Sequence, residues 1–98
     1  MVAGLLRIEL HLPAATSLKA KRGVVKSLIA ALRNALNVSV AEVDHQDLWQ
    51  RCTLGIAMAA GSETGVRRIA QDIEKIVNRE PRAEVIAFDL DIVVGEHT

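Results

Sequence analysis

The stretch VSVAEVDHQDLWQRCTLGIAM, residues 38–58, decides the fold. Val38 to Val43 reads as one strand, and Cys52, Leu54, Ile56 and Met58 carry another at a period of two. Between them Asp44-His-Gln-Asp47 is turn chemistry, because Asp side chains bond their own backbone and tolerate tight turns. The segment is therefore a β-hairpin. Its register stays open. A two- or four-residue loop would set Glu42 beside Trp49 or Arg51 on the solvent side. A bulged turn would instead put Val38 and Val40 with Cys52 and Leu54 in the core, and hydrophobic patterning favours the bulge.

Upstream, Leu6, Ile8, Leu10 and Leu12 alternate with Arg7, Glu9 and His11, the pattern of a strand with one buried face. A loop, Pro13 to Ser17, separates it from Leu18, Val25, Leu28, Ile29, Leu32 and Leu36, which recur at helical spacing and predict an amphipathic helix over 17–36. Gly23 interrupts that helix at about 1 kcal/mol relative to Ala. Downstream, Gly61-Ser-Glu-Thr-Gly65 gives a break and a cap. Val66, Ile69, Ala70, Ile73 and Val77 predict a second helix, ended by Pro81. Its solvent side carries the i,i+4 pairs Glu63–Arg67 and Arg68–Asp72. Val85 to Val94 is the last strand, with Ile86, Phe88, Leu90 and Ile92 alternating. The order β-α-β-β-α-β over residues 1–98 predicts a single α+β domain of ferredoxin-like plan. Its four-stranded antiparallel sheet carries both helices on one face.

Ninety-eight residues, 50% hydrophobic and 24% charged, are enough for one core and too few for two. So short a chain buries only about 60–70% of its unfolded surface, which makes association useful. The net charge is zero, yet residues 1–36 hold six bases against Glu9 alone while residues 37–98 hold eleven acids against six bases. A basic surface opposite an acidic one follows. Cys52 is the only cysteine, so no internal disulfide can form and a reducing, cytoplasmic home is expected. No apolar run approaches 18 residues, and the first residues lack the pattern of a secretory leader, so no membrane association is expected.

With both helices on one side, the opposite sheet face is open. It should show Arg7, Glu9 and His11 from the first strand and Arg51, Thr53, Gly55, Ala57 and Ala59 from the third. Sheets that bind single-stranded nucleic acid carry aromatics at such positions, and these are charged or small. Gly55, Ala57 and Ala59 instead form a smooth strip, and a homodimer interface there is expected, with Arg51 and Trp49 as further candidates.

Ser17-Leu-Lys-Ala-Lys-Arg22 puts three cations at the start of the first helix, where the helix dipole disfavours each by about 0.3–1 kcal/mol. No acid occurs from Ser17 to Leu36 to compensate. A broken local rule is a place to look for function. Ser17, Lys19, Lys21 and Arg22 form a candidate anion cradle, which Lys26 and Arg33 extend, and the expected ligand is the phosphate backbone of structured RNA. The alternative is that these long side chains cover the helix flank and pair with acids from elsewhere.

Glu42, Asp44, His45 and Asp47 are metal-ligand types, but successive strand residues point to opposite faces and do not converge. His11 and His97 cannot be brought to them from sequence. No nucleophile or substrate loop accompanies them, so no metal, cofactor or enzymatic activity is expected. Trp49 lies at the hairpin mouth, either as a contact hot spot or as a ring capping the core. Cys52, in phase with Leu54, reads as core. Gly61 to Gly65 lacks the lysine of a phosphate-binding loop.

The segments SLKAKR at 17–22 and VAEVDHQDLWQRCTLG at 40–55 resemble the YlxP-like family, small bacterial proteins of unknown function. The resemblance runs over nearly the whole chain. Ser17, Leu18, Lys19, Lys21 and Arg22 match one family motif; Glu42, Asp44, Asp47, Trp49 and Gln50 match the other. Leu36, where relatives often have an aromatic, departs from the pattern. The resemblance implies a ferredoxin-like fold. Because the family's genes often lie beside those for translation initiation and ribosome maturation factors, it also implies an RNA or ribosome partner. It supplies no catalytic residue. The expected protein is a cytoplasmic binding module that meets RNA through its basic helix, or else a homodimeric interaction module using the open sheet face.

Overall fold

The structure, a computed structural model, describes residues 1–96. His97 lies outside the described residues. The elements are β1 (Val2–His11), α1 (Leu18–Ala35), β2 (Ser39–Asp44), β3 (Arg51–Ala60), α2 (Glu63–Asn78) and β4 (Glu84–Val94). The strands form one antiparallel sheet in the order β2-β3-β1-β4. Each helix thus joins two strands that flank a third, and both lie on the same sheet face. β1 begins at Val2, earlier than its alternation first shows, because Val2 continues the buried phase of Leu6, Ile8 and Leu10.

The core lies between that face and the helices. Leu6, Ile8, Leu10, Leu54 and Ile56 of the sheet meet Val24, Val25, Leu28 and Leu32 of α1 and Val66, Ile73 and Val77 of α2. Each such aliphatic side chain contributes about 1.5–3 kcal/mol by burial. Gly4 lets α2 approach, since a Cβ there would lie 2.7 Å from Val66 Cγ1. Both helices are capped as serines cap: Ser17 Oγ accepts from the Ala20 amide at 3.1 Å, and Ser62 Oγ from the Gly65 amide at 3.0 Å.

Two bulges set the sheet's faces. In the hairpin the pairing shifts between Glu42, opposite Leu54, and Asp44, opposite Thr53, leaving Val43 extra. The bulged register is the one adopted, and Val40 is buried against the core. The second shift lies between Glu9, opposite Ala87, and Leu10, opposite Val85. It overturns the expected alternation of β4. Val85 takes the inward phase next to Leu10, and the extra residue, Ile86, is left 54% exposed.

Candidate functional site

The cations of α1 divide by helical phase. Lys21 falls in step with Val24, Val25, Leu28 and Leu32, the buried stripe, and is itself 1% exposed. Its Nζ lies 2.9 Å from Glu42 Oε2 and donates to the His45 carbonyl. Glu42 reaches it because the bulge keeps Glu42 in phase with Val40 on the helix side of the sheet. Lys21 is therefore not a surface phosphate contact, contrary to expectation: it is a buried tie between α1 and the hairpin. The Ser17 hydroxyl is likewise occupied as the cap. The anion cradle expected at the helix start loses two of its four members.

Lys19, Arg22, Lys26 and Arg33 lie on the opposite side and are exposed. Arg33 donates from Nη2 to the Val40 carbonyl at 3.0 Å, holding the helix end to β2. Among the described residues, none of these four has a carboxylate within 4.0 Å, whereas Arg7, Lys21, Arg51, Arg67 and Arg82 all do. The alternative of pairing with acids from elsewhere thus holds for Lys21, with Glu42, and not for these four.

The hairpin end is held rigidly. His45 adopts a left-handed backbone (φ 61°), a conformation few non-glycine residues take. The amide of His45 donates to Asp44 Oδ1 at 2.8 Å, and the amide of Leu48 to the His45 carbonyl at 3.1 Å. Gln50 Nε2 donates to the Pro13 carbonyl at 3.1 Å, and the Leu12 amide to the Gln50 carbonyl at 2.9 Å, stitching this loop to the one before α1. Trp49 stands 52% exposed beside Leu48 at 48%, outside the core. It does not cap the core: the ring stands outside the apolar cluster.

The acids expected at this corner separate across the sheet. Glu42 lies on the helix side with Lys21; Asp44 lies on the open side, 3.6 Å from Arg7. Among the described residues no three His, Cys, Asp or Glu side chains converge as metal ligands. Cys52 sits beneath the Lys21–Glu42 pair. Burial, followed by the Glu42 charge, pushes its thiol up to about 12, where it forms no thiolate near neutrality.

On the open face Glu9 is a hub that sequence reasoning did not single out. It accepts from Thr53 Oγ1 at 3.1 Å, Arg7 Nε at 3.1 Å and Arg51 Nη2 at 3.4 Å, with His45 Nε2 at 3.7 Å. Burial alone would raise its pKa; the hydrogen bonds from Thr53 and Arg51 and the charge of Arg7 outweigh that and hold it below the usual carboxylate range. The hub was readable as the one carboxylate flanked on β1 by Arg7 and lying across from Thr53 and Arg51. The other half of the face is apolar. Leu5, Ala41, Val43, Gly55 and Ala57 line a shallow depression of about 340 Å³. Gly55 is not bare, as a smooth strip would require: Val43 from the bulge leans over it, and a Cβ there would lie 2.7 Å from Val43 Cγ1.

With this geometry in hand, comparison with known proteins places the chain. Residues 3–90 match the family described as "Protein of unknown function (DUF503)". The chain belongs to the DUF503 family. The "Uncharacterized protein YlxP" of Bacillus subtilis (strain 168) is similar to it, 36% identical over 70 residues that cover 71% of this chain and 76% of the relative. Among solved structures, a de novo designed protein with a ferredoxin fold, determined by solution NMR, is similar. Its TM-score is 0.58 at 18% identity, over 100% of this chain and 92% of the designed one. That likeness establishes the fold and nothing about function. Of the residues that carried the resemblance, Lys21 and Glu42 pair with each other and Gln50 ties the hairpin end to the loop before α1, while Lys19, Arg22 and Trp49 are exposed.

Proposed function

We propose that this DUF503 protein is a binding module, not an enzyme, whose α1 outer face holds the phosphate backbone of structured RNA, within the ribosome or free of it. The carrying observation is the stripe of Lys19, Arg22, Lys26 and Arg33, four outward cations without carboxylate partners among the described residues. From Lys19 to Arg33 the helix rises about 21 Å, long enough to meet more than one phosphate. The stripe carries no aromatic and no acid, so it favours backbone over base and gives little sequence preference. On the sheet face Arg7 and Arg51 are paired with Glu9 and Asp44. That leaves the charges of Asp89 and Asp91 to repel the same ligand, so the proposed binding surface is confined to the helix layer.

The test is cosedimentation with ribosomes and retention on ribosomal RNA across a salt series. Four phosphate contacts give a slope of log affinity against log salt of about −3 to −4. The variant K19E/R22E/K26E should lose retention at all salt concentrations. Retention that ignores salt, or survives the charge reversals, overturns the reading.

A further inference from the structure

We infer that the open sheet face is a self-association surface whose occupant is a second copy of this chain. Three observations converge on that occupant. The first is exposed apolar surface: Leu5 is 55% exposed and Val43 49%, and they wall a depression floored by Gly55 and Ala57.

The second is self-complementarity. β1 and β3 are the two central strands, with Leu5 opposite Ala57. A dyad running parallel to the strands between β1 and β3 carries the Leu5 of each copy over the Ala57 of the other, into the gap between Leu5 and Val43. Large side chain meets small in both directions, as an isologous interface requires.

The third is charge. Arg7, Glu9, Arg51 and Asp44 neutralise one another within each copy. On this sheet face, the strand acids left without partners among the described residues are Asp89 and Asp91, on the edge strand β4. The same dyad sets β4 over the partner's β2, so these acids face the neighbourhood of Ser39 and Ala41 at the solvated rim. A dyad across the strands would stack them on their own copies and is disfavoured. Three strands of ten or eleven residues and the six-residue β2 make a face a little under about 600 Å² per copy before side-chain relief is counted. The pair then buries about 1,200 Å², the lower end for a specific interface, so dissociation at low concentration is expected.

The inference does not rest on RNA binding: face-to-face sheets leave both α1 stripes on the outside. The two readings therefore fail separately. Sedimentation equilibrium of the RNA-free protein over a concentration series should rise from the 10.6 kDa monomer to twice that mass. A57R and A59R change outward positions on β3; A57R should return the protein to a monomer with an unchanged circular dichroism spectrum, and A59R should weaken the dimer. A wild-type monomer at every concentration overturns the inference, and so does a folded A57R that dimerises as wild type does.

Discussion

Lys19 and Lys21 stand two residues apart on one helix, in one sequence motif, and meet opposite surroundings. Lys21 points inward with the aliphatic stripe of α1 and is closed off by Glu42 and the His45 carbonyl. Lys19 points outward with Arg22 and Lys26 and has no acid within reach among the described residues. A charge taken out of water must be answered by a fixed partner, whereas an exposed one keeps its solvation and its freedom to meet a ligand. The difference teaches that a cluster of cations in sequence is not one patch in space. It also gives the inner and outer faces of α1 separate jobs, support of the hairpin and contact with a partner.

The largest effect should come from breaking the inner side. Lys21→Met strands Glu42 beside the core and should destabilise the fold by about 3 kcal/mol, read as a lower denaturant midpoint. Pairing it with Glu42→Leu removes both charges and should restore most of that loss, since buried ion pairs exchanged for packed apolar groups are often neutral. The outer side should respond with the opposite sign. Lys19→Glu replaces a cation in the first turn with an acid that complements the helix dipole, and should raise stability by about 1 kcal/mol at low salt while weakening RNA retention. Gly23→Ala, on the same exposed side where a Cβ meets nothing within 4 Å, should add about 0.5–1 kcal/mol without touching either the ion pair or the stripe.

The smallest effect concerns the far side of the sheet, where charges are paired among themselves rather than left free. Glu9 has its pKa held below the ordinary 4.5 in the fold. Its contribution is thus fully present above that value and is lost as pH falls through the lower folded value, because the unfolded chain takes up the proton first. Glu9→Gln should therefore lower stability modestly in the neutral region and match wild type in acid, flattening the acid limb of a stability–pH curve.

The element order, the helix spans and the face exposed by the sheet were readable from periodicity alone. Glu42 followed once the bulged register was taken, since it shares the phase of Val40. Lys21 was legible in principle, because it is i−3 and i−4 from Val24 and Val25 and so lies on the apolar stripe. Counting it among the basic residues hid that, and its partner sits on an element separated by two loops. The bulge at Ile86 left no local trace: the β4 alternation reads cleanly through it, and only the pairing with β1 reveals the shift. The placing of the loop that carries Trp49 includes the Gln50 bond to the Pro13 carbonyl, a contact across 37 positions that no local pattern encodes.

The most direct test of the division within α1 is RNA retention by the K21M/E42L protein, folded as judged by its denaturation midpoint, across the same salt series as wild type. The account predicts an unchanged salt slope and near-wild-type retention, because the outer stripe is intact. Loss of retention in that folded variant would contradict it, since the inner lysine would then be part of the ligand surface.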